Sequence, residues 1–129
     1  MQQLILAIDF DGTIVKKEDD YVAKAFISNA KEVINWAHSK KCYVIIWTCR
    51  TGKLLDQAVS FLKENGIKYD AINENYPDLS FETSRKIYAD FYIDDLSFEI
   101  DWLQIKQKIA NKLIEKLANE LVKLKETQK

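Results

Sequence analysis

A chain of 129 residues, 47% apolar and 30% charged, with three glycines and one proline, is enough for one folded domain with a sizeable core. Its formal net charge of −1 gives no global pull toward nucleic acid or an anionic membrane. Cys42 and Cys49 fit neither a C-x-x-C pair nor a zinc-ligand pattern. With no basic leader and no apolar run near the ~20 residues of a membrane span, a soluble cytoplasmic protein is expected.

In chain order, Leu4-Ile5-Leu6-Ala7-Ile8 is an apolar run of strand length that ends abruptly in Asp9-Phe10-Asp11-Gly12-Thr13. Side chains two apart on an extended chain share a side, so Asp9 and Asp11 are expected to converge at the strand's exit. Gly12 frees the backbone to turn there. Two crowded acids repel unless a cation or a division of proton-transfer roles separates them. The polar residues 16–20 follow as a short surface loop or flap, with Asp19 or Asp20 to cap a helix. That helix is expected over about 21–39, where Val22, Phe26, Ile27, Ala30, Val33, Ile34 and Ala37 recur at three and four residues.

Residues 42–47 form a second continuous apolar run, closing in Thr48-Cys49-Arg50, as suits a strand covered on both faces of a parallel sheet. A helix over about 52–65 follows, with Gly66 in the position of a left-handed C-terminal cap. A short strand over about 68–72, a loop over 73–84 containing Pro77, and a fourth strand ending in Asp94-Asp95 come next. The remainder, about 97–126, reads as one long helix. Its Ile100, Leu103, Ala110, Ile114, Leu117, Leu121 and Leu124 form either a coiled-coil seam, and so a route to a homo-oligomer, or a face whose first half docks on the sheet. The expected fold is α/β: a three-layer Rossmann-like sandwich with a four-stranded parallel sheet in order 4-1-2-3 and a long C-terminal helix. In such sheets ligands bind beyond the carboxyl ends of the strands, where Asp9, Asp11, Thr48, Asp94 and Asp95 all fall.

These residues resemble the haloacid dehalogenase-like phosphohydrolase superfamily. Asp9-Phe10-Asp11-Gly12-Thr13 matches its first motif, D-x-D-G-T, and Thr48 stands where its second places Ser or Thr. Lys86, beside Arg85, is a candidate for its third-motif lysine, and Asp94-Asp95 looks like its acidic fourth motif. The likeness covers about residues 3–98. It implies phosphoryl transfer through an aspartyl-phosphate, with Asp9 the nucleophile and Asp11 the general acid and then base. It also implies Mg²⁺ held by Asp9, Asp11 (through its backbone carbonyl), Asp94 and Asp95, either of the last two being the direct ligand. Thr48, Lys86 and the backbone N–H groups near Phe10 and Cys49 would bind phosphoryl oxygens. Arg50 either reaches the phosphate or makes a structural salt bridge. Cys49 is otherwise a small buried neighbour of Thr48, and His38, near a helix C-terminus, is not assigned to catalysis.

There is room for no cap domain after the first motif or between the second and third, so a single capless domain over 1–129 is expected. The substrate expected is a small phosphorylated metabolite such as a nucleotide or sugar phosphate, since no basic stripe or aromatic platform marks a nucleic-acid track. The alternatives are a phosphorylated macromolecule as substrate, a receiver-like signalling domain, and a silent binding module that assembles through its last helix.

Overall fold

The computed structural model describes residues 3–128. Its elements run β1 (Ile5–Ile8), α1 (Ala30–Ser39), β2 (Tyr43–Ile46), α2 (Gly52–Glu64), β3 (Ala71–Ile72), β4 (Phe91–Ile93) and α3 (Trp102–Thr127). The strands are parallel and ordered β3-β2-β1-β4, the arrangement expected from the alternation of apolar runs and helical faces. Register decides which side chains meet at the sheet's carboxyl edge. Ile8 lies opposite both Ile46 and Ile93. The residues that leave these three strands, Asp9, Trp47 and Asp94, therefore emerge side by side at one edge.

Alternation along the strands sorts the core into two layers. Leu4, Leu6, Ile8, Val44 and Ile46 face the helices, against Val33, Ile34 and Ala37 of α1, Ala58 and Leu62 of α2, and Trp102 and Ile109 of α3. Ile5, Ala7 and Ile45 face the opposite way, against Tyr76, Ile87 and Ala89. The third layer is thus the irregular segment 73–90, which crosses the sheet from the carboxyl edge to the amino edge. Its ends are fixed there: Asn73 N–H donates to Ile46 O (2.9 Å), and Asp90 accepts from Ile5 N–H (2.7 Å).

The first helix is shorter than its apolar spacing predicts. Residues 22–27 lie extended, with Phe26 bridged antiparallel to Val15. Lys16 N–H donates to Ala25 O, and Ile27 N–H to Ile14 O, both at 2.8 Å. Those backbone groups are used across the loop and are lost to a helix, while Ala23, Phe26 and Ile27 still pack on the core. Asp20 accepts from Val22 N–H in a tight turn in place of capping a helix. Gly66 does adopt the left-handed conformation, φ 69°, and Ile67 N–H closes the end of α2 on Leu62 O.

α3 begins at Trp102, later than expected, because Asp101 accepts from Leu103 and Gln104 N–H and caps it there. The indole of Trp102 is buried, and its N–H donates to Thr13 O (2.8 Å), tying the helix to the loop after β1. Docking uses Trp102, Ile105, Ile109 and Leu113. Of the 3-4 seam, Leu103, Ile114, Leu117, Leu121 and Leu124 face outward, exposed, while Ala110 is half-buried and Ile100 packs on the core. Among the described residues, no helix is long and apolar enough to cross a membrane.

Candidate functional site

Beyond the carboxyl ends of β1, β2 and β4 lies a cleft of about 420 Å³, lined by Asp9, Asp11, Thr48, Cys49, Arg50 and Asp95 among others. Asp9 leaves β1 with its N–H bonded to Ile93 O (2.9 Å), so it stands beside the exit of β4. One carboxylate oxygen each from Asp9, Asp94 and Asp95 lie within 4.8 Å of one another. Thr13, fully buried, organises them. Its hydroxyl accepts from Asp95 N–H (3.0 Å) and points its proton at Asp9 Oδ2 (3.3 Å), with Asp95 Oδ1 at 3.5 Å. Asp94 accepts from Leu96 N–H (2.9 Å), which fixes the turn that presents both acids.

Such crowding has an electrostatic consequence. Burial, and then the neighbouring Asp94 charge, push the Asp9 carboxyl from 3.8 up to about 7. A small, hard divalent cation answers both causes, since it replaces lost water and offsets the repulsion. Three carboxylate oxygens within 4.8 Å of one another could hold such an ion, with water completing its shell.

Gly12 allows the close approach of the two loops. It sits at φ +81°, and a Cβ there would fall 2.3 Å from Asp95 Oδ2. Gly12→Ala should therefore displace Asp95 as well as strain the backbone, at about 2 kcal/mol. A lower melting temperature together with weaker Mg²⁺ binding is expected; a variant that lost stability but kept its Mg²⁺ affinity would contradict the assignment of Asp95.

The structure does not gather every residue that the motifs nominate. Asp11 lies in the cleft, but its carboxylate stands outside the three-acid cluster. Both its oxygens accept from Arg50, at 2.8 Å from Nε and 2.7 Å from Nη2. Arg50 Nη1 donates to Leu54 O (2.9 Å), and the guanidinium lies 4.9 Å from the Phe10 ring centre. Arg50 is therefore a salt-bridge partner of Asp11, with three of its five N–H groups used and its side chain 3% exposed. Thr48 lines the cleft, its hydroxyl accepting from Arg50 N–H (3.1 Å), and its proton has no acceptor among the described residues. Asn73 holds that loop from both sides, donating to Thr48 O and accepting from Thr48 N–H. Cys49, expected to be buried beside Thr48, is instead a free, exposed thiol on the cleft wall, because it follows the end of β2 on the loop that lines the cleft.

Lys86 is a correction. It does not line the cleft; its ammonium stands 4.7 Å from the Tyr92 ring centre. The segment that carries it packs on the sheet face opposite the helices, with the adjacent Ile87 against Ile5, Ala7 and Ile45. The lysine that lines the cleft is Lys17, whose Nζ lies 3.4 Å from Asp95 Oδ2. Its sequence signal is only a basic pair, Lys16-Lys17, close behind the D-x-D-G-T stretch. Lys17, Tyr21 and Asn73 are contributors that lie outside the motifs, and Thr13, within the first motif, has a role there that the sequence reading does not assign.

What the fold and site define is an α/β domain whose three-acid cluster sits beyond the carboxyl ends of a parallel sheet. No family model matches the chain, and no curated protein matches it. A solved structure of a conserved protein from Bacteroides thetaiotaomicron is 34% identical, with a TM-score of 0.75. The match covers 86% of this chain and 93% of that one. The chain belongs to the family of that conserved protein.

Proposed function

We propose that the protein is a Mg²⁺-dependent phosphohydrolase of the haloacid dehalogenase-like type, acting on phosphomonoesters through an aspartyl-phosphate on Asp9. The observation that carries this reading is the meeting of Asp9, Asp94 and Asp95 within 4.8 Å, in a cleft shared with Asp11 and Thr48. Asp9, Asp94 and Asp95 would hold the ion. Bound there, it supplies charge neutralisation for a dianionic phosphate facing a carboxylate nucleophile.

The chain's own groups carry the rest. An Asp9 oxygen attacks phosphorus, the bond from phosphorus to the leaving oxygen breaks, and the departing alkoxide takes a proton from Asp11. Water then attacks the phosphorus, gives a proton to Asp11, and restores the Asp9 carboxylate. Because both Asp11 oxygens accept from Arg50, Asp11 has first to turn partly off the guanidinium and take up a proton from solvent before it acts as the acid. The Thr48 hydroxyl and the Cys49 N–H donate to phosphoryl oxygens as charge spreads over them. Lys17 takes the cationic role that the motif order gives to Lys86.

Phosphate release from p-nitrophenyl phosphate tests the reading. Turnover should require Mg²⁺, stop with chelator, and return when the ion is restored. No turnover under any of these conditions, with the protein folded and Mg²⁺ bound, would overturn it.

A further inference from the structure

Behind the phosphate-facing groups, the mouth of the cleft is apolar. Tyr21, Leu54 and Leu96 line it, Tyr21 being 52% and Leu96 82% exposed. Tyr21 is held there against local preference. Its backbone is left-handed, φ 58°, a rare conformation for a bulky residue. The turn is fixed by Tyr21 N–H on Glu18 O (3.1 Å) and Val22 N–H on Asp20 Oδ1 (3.0 Å). The loop carrying it is closed at its base by Lys16 N–H on Ala25 O, so Tyr21 and Lys17 are delivered to the cleft together.

The polar side chains of the wall are largely committed to one another: Asp11 to Arg50, Asp9 and Asp95 to Thr13, and Lys17 to Asp95. Sugar hydroxyls would find only Thr51 and Cys49 beyond the phosphate groups, whereas a flat apolar ring would find Tyr21 and two leucines.

We propose that the leaving group is aromatic: the site takes phosphomonoesters of aryl or arylmethyl alcohols, with the ring against Tyr21 and packed by Leu54 and Leu96. The proposal rests on the phosphohydrolase reading for the position of the phosphate. Its test does not require turnover. Benzylphosphonate and methylphosphonate are titrated calorimetrically into the full chain with Mg²⁺ present, alongside a turnover assay on benzyl phosphate. Wild type should bind the benzyl compound at least about tenfold more tightly than the methyl one. That ratio should fall to about twofold in Tyr21→Ala and survive in Tyr21→Phe; Leu96→Ser should reduce it independently. Equal affinities in wild type, or a ratio unmoved by Tyr21→Ala and Leu96→Ser, would overturn the proposal. Turnover without the aromatic preference overturns this inference alone. The preference without turnover overturns the hydrolase reading alone and supports the ring site.

Discussion

Asp9→Asn is expected to abolish turnover, by at least about 10³-fold, while making the metal-free protein more resistant to heat. The first effect follows from chemistry: an amide oxygen in place of the carboxylate gives no stable acyl-phosphate. The second follows from linkage. An aspartic acid ordinarily loses its proton near 3.8, yet in the fold burial and then the Asp94 charge push Asp9 up to about 7. A folded state that holds its proton more tightly than the unfolded chain is favoured at low pH. That contribution is complete below about pH 4 and is lost as pH rises through about 7. Above that, the metal-free wild type carries a charge it disfavours, and the asparagine variant does not.

Melting curves without metal should therefore show Asp9→Asn more stable than wild type at pH 8, with the gap closing toward pH 4. Added Mg²⁺ should raise the wild-type melting temperature at pH 8 by mass action and leave the variant nearly unmoved. A variant less stable than wild type at pH 8 without metal would show that Asp9 is not in electrostatic conflict with Asp94. The two readouts separate two roles: turnover reports the nucleophile, and the metal-dependent shift reports the ligand.

How much of the fold and site is legible in the sequence depends on the range of each interaction. β1 and β2 are unbroken apolar runs ending in polar residues, and their parallel pairing puts Asp9 and Thr48 at one edge without further information. Residues 22–27 mislead because Val22, Phe26 and Ile27 suit a helical face as well as an extended segment packed on one side. The deciding factor is the pairing of Val15 with Phe26, which no local spacing encodes. Lys86 shows the same limit. Order along the chain places it between the third and fourth strands, but not at which edge of the sheet its side chain ends. Lys17, nearer the motif and on a loop that folds back, reaches the acids instead. The outward seam of α3 is visible as a 3-4 pattern, and docking falls to Trp102, Ile105, Ile109 and Leu113, one helical face away.

Arg50→Met is expected to be the most destabilising single change in the cleft, at about 3 kcal/mol. The pair it breaks is bidentate and nearly enclosed, with the Arg50 side chain 3% and the Asp11 side chain 18% exposed. Methionine keeps much of the packing against Phe10 but leaves the Asp11 carboxylate without its donor and Leu54 O without its N–H. For a chain of this size the loss should lower the melting temperature by about 10 °C. Asp11→Asn alone should cost less, because an amide still offers the guanidinium one acceptor. A double-mutant cycle isolates the contact. If Arg50 acts on Asp11, the double variant should be clearly less unstable than the sum of the singles, with a coupling of about 2 kcal/mol. Additive losses would mean that Arg50 stabilises the fold through Leu54 and Phe10 alone. Turnover in Arg50→Lys sharpens the same point. Lysine keeps the charge but not the two-pronged geometry, so a proton donor that needs aiming should lose rate in that variant even where stability is largely restored.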